Sequence, residues 1–268
     1  MVLRPVDFTW LILGPLIFSA MTLLWARQLK TKNATSVDLA WSVGTGLTTW
    51  ILVLVSEGVM DRRTWIAMIV TAWSVRLALL LFRRVRSGVE DGRYQDLRRN
   101  WKPKNFLFFY WGQGALIWFL PLVHLGSLEG IQSFPSAWDL IFIALWLFGF
   151  VGEWMADHQL EVFRRENRGA KEICRVGWWN RCRHPNYFFE SLQWISWGMI
   201  SLFAGLSSDR PVLAAALAIL CPTLVVLSIF RVTGIPATEE HMLETRGDAY
   251  RDYMKEVPAF FPRFRPRA

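Results

Sequence analysis

Residues 211–230 read PVLAAALAILCPTLVVLSIF, an apolar run without a single charged side chain. A stretch of about 20 such residues spans the hydrocarbon core of a bilayer as a helix. Working outward from it, comparable runs recur along the 268-residue chain, at roughly 7–29, 37–56, 65–82, 105–127, 138–157 and 186–206, with an error of about 2–4 residues at each end. The expected architecture is therefore all-α: a polytopic integral membrane protein with seven transmembrane helices in a single domain, residues 1–268. The overall apolar share, 53%, is close to that of soluble domains, so the clustering carries this inference and the total does not. It excludes a secreted disulfide scaffold, a disordered chain and an ordinary soluble enzyme.

The net charge of +8 has a positional explanation. Counted by connection, Lys and Arg fall 25 on one side of the seven runs and 4 on the other, with Arg76 inside the third run. Cytoplasmic loops carry that excess, so the N-terminus is expected outside and the C-terminus in the cytoplasm. Contact with membrane lipids, anionic ones included, is compatible with this pattern, and nucleic acid is not expected as a partner. The odd number of cysteines, Cys174, Cys182 and Cys221, argues against a disulfide framework. Cys174, Cys182 and His184 share one connection, but their spacing matches no zinc pattern, and no metal site is expected.

With this orientation most ionisable and amide residues at membrane depth lie toward the cytoplasmic ends: Asp38, Arg76, Glu153, Asp157, Asn186, Glu190 and Gln193. Such residues are costly in lipid and usually line a polar cavity, here one opening to the cytoplasm. Glu153, Asp157, Leu160 and Arg164 fall on one helical face. The plainer reading of that face is an ion pair at a membrane interface. Arg164, Arg165, Arg168, Lys171, Arg175 and Arg181 follow closely. Their forks suit phosphate oxygens, while topology alone also accounts for them. Then comes Arg183-His184-Pro185-Asn186-Tyr187-Phe188-Phe189-Glu190, with Pro185 suited to a first helical turn and Asn186, Glu190, Gln193 and Trp197 on one face.

The segments Ala156-Asp157-His158-Gln159-Leu160…Arg164 and Gly177-Trp178-Trp179…Arg183-His184-Pro185-Asn186-Tyr187-Phe188…Glu190 resemble the C-terminal half of the steroid 5-alpha-reductase superfamily, nearest to its bacterial branch of largely unassigned function. Ser36-Val37-Asp38-Leu39-Ala40-Trp41 and Glu90-Asp91-Gly92-Arg93-Tyr94 are similar to the same branch. The resemblance implies a seven-helix fold, a cofactor-binding half at about 138–268, and NADPH held from the cytoplasmic side of a membrane, the inner membrane if the source is bacterial. It places Asp157, Arg164, Arg183, His184, Asn186, Tyr187 and Glu190 at the cofactor. It implies reduction of a carbon–carbon double bond in a lipidic or steroid-like enone, with Asp38 and Tyr94 as candidates for polarising the carbonyl. Phe189 stands where the family usually has Gly, either narrowing the cofactor site or packing on a neighbouring helix. The tail, Glu239-Glu240-His241-Met242-Leu243 with Tyr250 and Tyr253, resembles isoprenylcysteine carboxyl methyltransferases, which implies S-adenosylmethionine as an alternative cofactor. A plain amphipathic tail helix, and a non-enzymatic lipid-binding protein, are the remaining alternatives.

Overall fold

The computed structural model describes residues 4–86, 88, 90–167, 172–232 and 234–263. Arg168 and Lys171 of the basic run lie outside the described residues. The described chain is helical: α1 (Pro5–Thr31), α2 (Ser36–Val55), α3 (Met60–Arg86), α4 (Gly92–Asn100), α5 (Pro103–Phe119), α6 (Leu125–Glu129), α7 (Ala137–Glu166), α8 (Pro185–Gly205), α9 (Pro211–Arg231), α10 (Ile235–Arg246) and α11 (Asp248–Glu256). Proline occupies the first turns of α1, α5 and α10, where its missing N–H has no intrahelical partner to lose. Between α5 and α6 the run Leu120–His124, with Pro121, tightens to a 3-10 turn.

Six helical stretches among the described residues are long and apolar enough to cross a bilayer. They include α1, α2, α3, the α5–α6 stretch, α7 and α9. The expected run at 186–206 is there as α8, 21 residues long, but it is not among the six. The polar side chains that marked it in the sequence, Asn186, Glu190 and Gln193, together with Ser191, Ser196 and Ser201, dilute its apolar character. Beyond α9, α10 carries Glu239, Glu240, Glu244 and Arg246, a composition that does not suit lipid, and it lies outside the spanning part.

The chain divides into two compact units, Met1–Asp139 with Gly198–Cys221, and Leu140–Trp197 with Pro222–Ala268. In the first, α2 packs on α3 and α5, and α1 on α5 and α2. Its core gathers Met21, Ala34, Val37, Tyr94, Phe106, Tyr110 and Ile117. Two ionic clusters brace this unit. Arg62 is fully buried, pairs with Asp139 at 2.9 Å and donates to the carbonyls of Gln132 (2.8 Å) and Ser133 (3.1 Å). Arg62 was counted in the sequence as a connection charge. Helix α3 begins at Met60, well before the expected start of the third run, and carries Arg62 inside. Arg210 joins Asp7 (2.7 Å) and Glu129, and Arg4 bonds Asp209 at 2.8 Å.

In the second unit, α11 buries Tyr250, Tyr253 and Val257 against Ile173, Met242, Leu243 and Met254. The tail is thus two short helices, the second strongly amphipathic, in place of the single tail helix weighed above. Residues 257–263 then run along 181–184: the amides of Arg183 and His184 donate to the carbonyls of Pro258 (2.9 Å) and Ala259 (3.1 Å), and the amide of Arg263 donates to the carbonyl of Arg181 (3.0 Å).

Candidate functional site

In the first unit, the two upstream motifs meet. Asp38 lies in the first turn of α2, and Tyr94 sits on α4 with 4% of its surface exposed. The Tyr94 hydroxyl donates to Asp38 Oδ1, across 56 residues of sequence. Around that bond, Glu90 accepts from the Ala34 amide (2.8 Å) and from Arg98 (2.7 and 3.2 Å), Thr35 Oγ1 accepts from the Asp91 amide (2.9 Å), and Arg98 also donates to Gln28 Oε1 (3.0 Å). Sequence reasoning placed Asp38 and Tyr94 but passed over Arg98 and the role of Glu90. The available signal was the short interval, since Glu90 and Arg98 stand four residues either side of Tyr94.

In the second unit, the segments that carry the family resemblance dock on one another. Trp178 N–H donates to Gln159 Oε1 (3.0 Å), and Trp179 Nε1 to the Ala156 carbonyl (2.8 Å). Gly177 has φ +57°, and a Cβ there would lie 2.4 Å from the Gln159 amide, so this turn requires glycine. Asp157 is half-buried on α7, while Arg164 is exposed near that helix's end. Asn186, Tyr187 and Glu190 are half-buried on the first turns of α8. Deeper in the pair of helices, buried Gln193 donates to buried Glu153 at 2.6 Å.

Arg183 and His184 have partners inside the chain. Arg183 Nε donates to Glu239 Oε1 (2.7 Å), and its Nη1 to the carbonyls of Met254 (3.1 Å) and Val257 (2.5 Å). His184 Nε2 lies 3.0 Å from the same Glu239 oxygen. Tyr187 and Thr238 hydroxyls lie 3.2 Å apart. Burial pushes the Glu239 carboxyl up, but hydrogen bonds from His184 and Arg183 together outweigh it and hold this carboxyl below its ordinary value. Burial pushes the neighbouring Cys182 thiol up to about 12. The arginine–histidine motif and the tail glutamate, far apart in the sequence, are one cluster here.

Phe189 is fully buried and packs against the rings of Phe148 (5.6 Å between centroids) and Trp178 (4.9 Å). A Cβ on Gly152 would come within 2.3 Å of the Phe189 ring. The bulk at 189 is thus received by a glycine on α7, the packing outcome of the two weighed for this position.

The chain belongs to the DUF1295 family of proteins of unknown function, whose family model matches residues 24–257. That family falls within the steroid 5-alpha-reductase-like group. An uncharacterized protein of Schizosaccharomyces pombe is 27% identical over 277 residues, covering 92% of this chain and 78% of the relative. Steroid 5-alpha-reductase DET2 of Arabidopsis thaliana is 37% identical over 46 residues, 17% of this chain and 18% of that protein. No solved structure shows a significant match.

Proposed function

We propose that the protein is an NADPH-dependent reductase that saturates a carbon–carbon double bond conjugated to a carbonyl in a lipidic substrate. The observation that carries this reading is the hydrogen bond between Tyr94 and Asp38 in a chain of a steroid-reductase-like family. A phenol held by a carboxyl group is a suitable donor to a carbonyl oxygen on which negative charge grows. Asp38 holds the phenol O–H until substrate binds, and Tyr94 then turns its single proton from Asp38 to the substrate carbonyl oxygen.

The donor set in the second unit fits the dinucleotide. Exposed Arg164 offers a guanidinium fork to phosphate, and Asn186 and Glu190 offer amide and carboxylate groups to the amide and hydroxyls of the cofactor. Asp157 and Tyr187 complete the set. Arg183 and His184, held by Glu239, position the start of α8 on which these residues sit. When bound, NADPH supplies a hydride. The excess of Lys and Arg, 25 against 4, supports a seventh crossing by α8 with the C-terminus in the cytoplasm, where NADPH is available.

The test is titration of NADPH and of S-adenosylmethionine onto the purified protein and its Glu190→Gln variant in detergent. NADPH binds, and Glu190→Gln weakens it by about tenfold or more, the equivalent of losing at least one buried hydrogen-bonded group at about 1.4 kcal/mol per decade. Binding of S-adenosylmethionine without NADPH, or of neither, overturns the proposal.

A further inference from the structure

Helix α4 has nine residues, too few to hold a helical conformation by itself, yet it must bring one phenol to one carboxylate. The devices that dock it are on either side of Tyr94. Four residues before it, Glu90 places Oε1 on the Ala34 amide at 2.8 Å, immediately ahead of α2. Four residues after it, Arg98 returns to the same carboxylate with two donors, Nη2 at 2.7 Å and Nε at 3.2 Å. Its remaining arm, Nη1, reaches Gln28 on α1 at 3.0 Å, and its guanidinium lies over the Phe106 ring on α5, 4.9 Å from the centroid. Glu90 lies just ahead of α4 and Arg98 one turn beyond Tyr94 within it, so the two outer residues close a loop of bonds around the middle one. Through this loop α4 is tied to α1, α2 and α5 at once. Asp91, whose amide donates to Thr35 Oγ1 and whose carbonyl accepts from the Tyr94 amide at 2.9 Å, completes the frame. The Tyr94 ring is buried beside Phe109, 5.8 Å between centroids.

We infer that Glu90 and Arg98 are a positioning pair, whose bidentate bond, from just ahead of α4 to the turn after Tyr94, sets the Tyr94 hydroxyl on Asp38. The inference concerns the geometry of that bond, and its catalytic consequence rests on the reductase reading. A bidentate arginine–carboxylate pair resists rotation in a way that a single ion contact does not. Glu90 holds the Ala34 amide just ahead of α2 and Arg98 holds Gln28 on α1, so loss of either frees α4 to slide by a fraction of an ångström. A displacement of about 1 Å at a reacting group can cost on the order of a hundredfold in rate.

The chain has only 5 tyrosines, so 3-fluorotyrosine incorporation into the full-length protein in detergent gives five fluorine resonances, with Tyr94 assigned from Tyr94→Phe. Asp38→Asn supplies the reference for a phenol that has lost its charged acceptor. In Glu90→Ala the Tyr94 line moves toward the Asp38→Asn position while the lines of Tyr187, Tyr250 and Tyr253, in the other unit, stay. If all five lines collapse because Glu90→Ala does not fold, Arg98→Lys is read instead. It keeps the charge and loses the fork, and moves the Tyr94 line while those three stay. A Tyr94 line at its wild-type position in a folded variant overturns the inference. Rates separate this result from the fate of the reductase reading. With a conjugated enone lipid as substrate, either variant lowers kcat by about 10–100-fold without changing NADPH affinity. A wild-type protein that never oxidises NADPH, but whose Tyr94 line moves as described, refutes the reductase and leaves the positioning pair standing.

Discussion

At the start of α2, Glu90, Asp91 and Tyr94 come down on Ala34, Thr35 and Asp38; ahead of α8, Thr238, Glu239 and Val257 meet Tyr187, His184 and Arg183. Both are places where a distant segment closes on a helix start, and in both the segments are 56 residues apart for the central contact. They differ in what the contact consumes. At α2, separate residues, Glu90, Arg98 and Thr35, carry the scaffold around the Asp38–Tyr94 pair, to which we assign the proposed chemistry. At α8, the charged residues of the motif are themselves the scaffold, because Arg183 gives three hydrogen bonds to the chain and His184 shares one of the acceptors, Glu239. A motif arginine is a ligand residue only if the protein has not already used its donors.

The largest effect that follows is on stability at α8. Arg183→Ala strips a buried guanidinium from Glu239 and from two carbonyls, leaving a partly buried carboxylate short of its main partner. The cost is expected at about 3–5 kcal/mol, visible in thermal unfolding in detergent. Arg98→Ala, whose pair at α2 is more open to solvent (27% and 10% exposed), costs less, about 1–2 kcal/mol. Equal costs at both places would break the distinction between them.

Glu239→Gln sharpens it further. The carboxylate accepts from Arg183 and His184, so its replacement by an amide costs about 1.5–3 kcal/mol. Because the folded protein holds this carboxyl below its ordinary value of 4.5, the charged form is stabilised by folding. Its contribution is complete above the unfolded carboxylate range and is lost as pH falls from about 4.5 through the lower folded value. The wild-type protein therefore loses stability in that acid window faster than Glu239→Gln. Parallel pH profiles of the two would show that Glu239 is not the anchor described.

The helices were legible because apolar runs report themselves locally. The run at 211–230 matches α9, Pro211–Arg231, almost to the residue. Partners far apart in sequence were not. Arg62 reads as a loop cation because its buried acceptor, Asp139, is 77 residues away and has no local signature. The Glu239–Arg183 bond was hidden for another reason: carboxylates and guanidinia that anchor a chain are the same residue types that bind a cofactor, and spacing does not say which group fills them. Phe189 shows the same limit in packing, since the space for its ring is a missing side chain at Gly152 on another helix. The polar stripe of α8 was visible from its period, and that stripe is also why α8 falls short of the apolarity of the other long helices.

The most direct measurement is the rate of NADPH oxidation by the purified protein in lipid nanodiscs with a conjugated enone lipid, for wild type and Tyr94→Phe, alongside NADPH affinity for both. General acid catalysis by a positioned group contributes about a hundredfold or more. The account predicts that Tyr94→Phe lowers the rate by at least about that factor while NADPH binds as tightly as before. A Tyr94→Phe variant that turns over at the wild-type rate contradicts the assignment of chemistry to the Asp38–Tyr94 pair, and a wild-type protein that binds NADPH but reduces no enone contradicts the reductase itself.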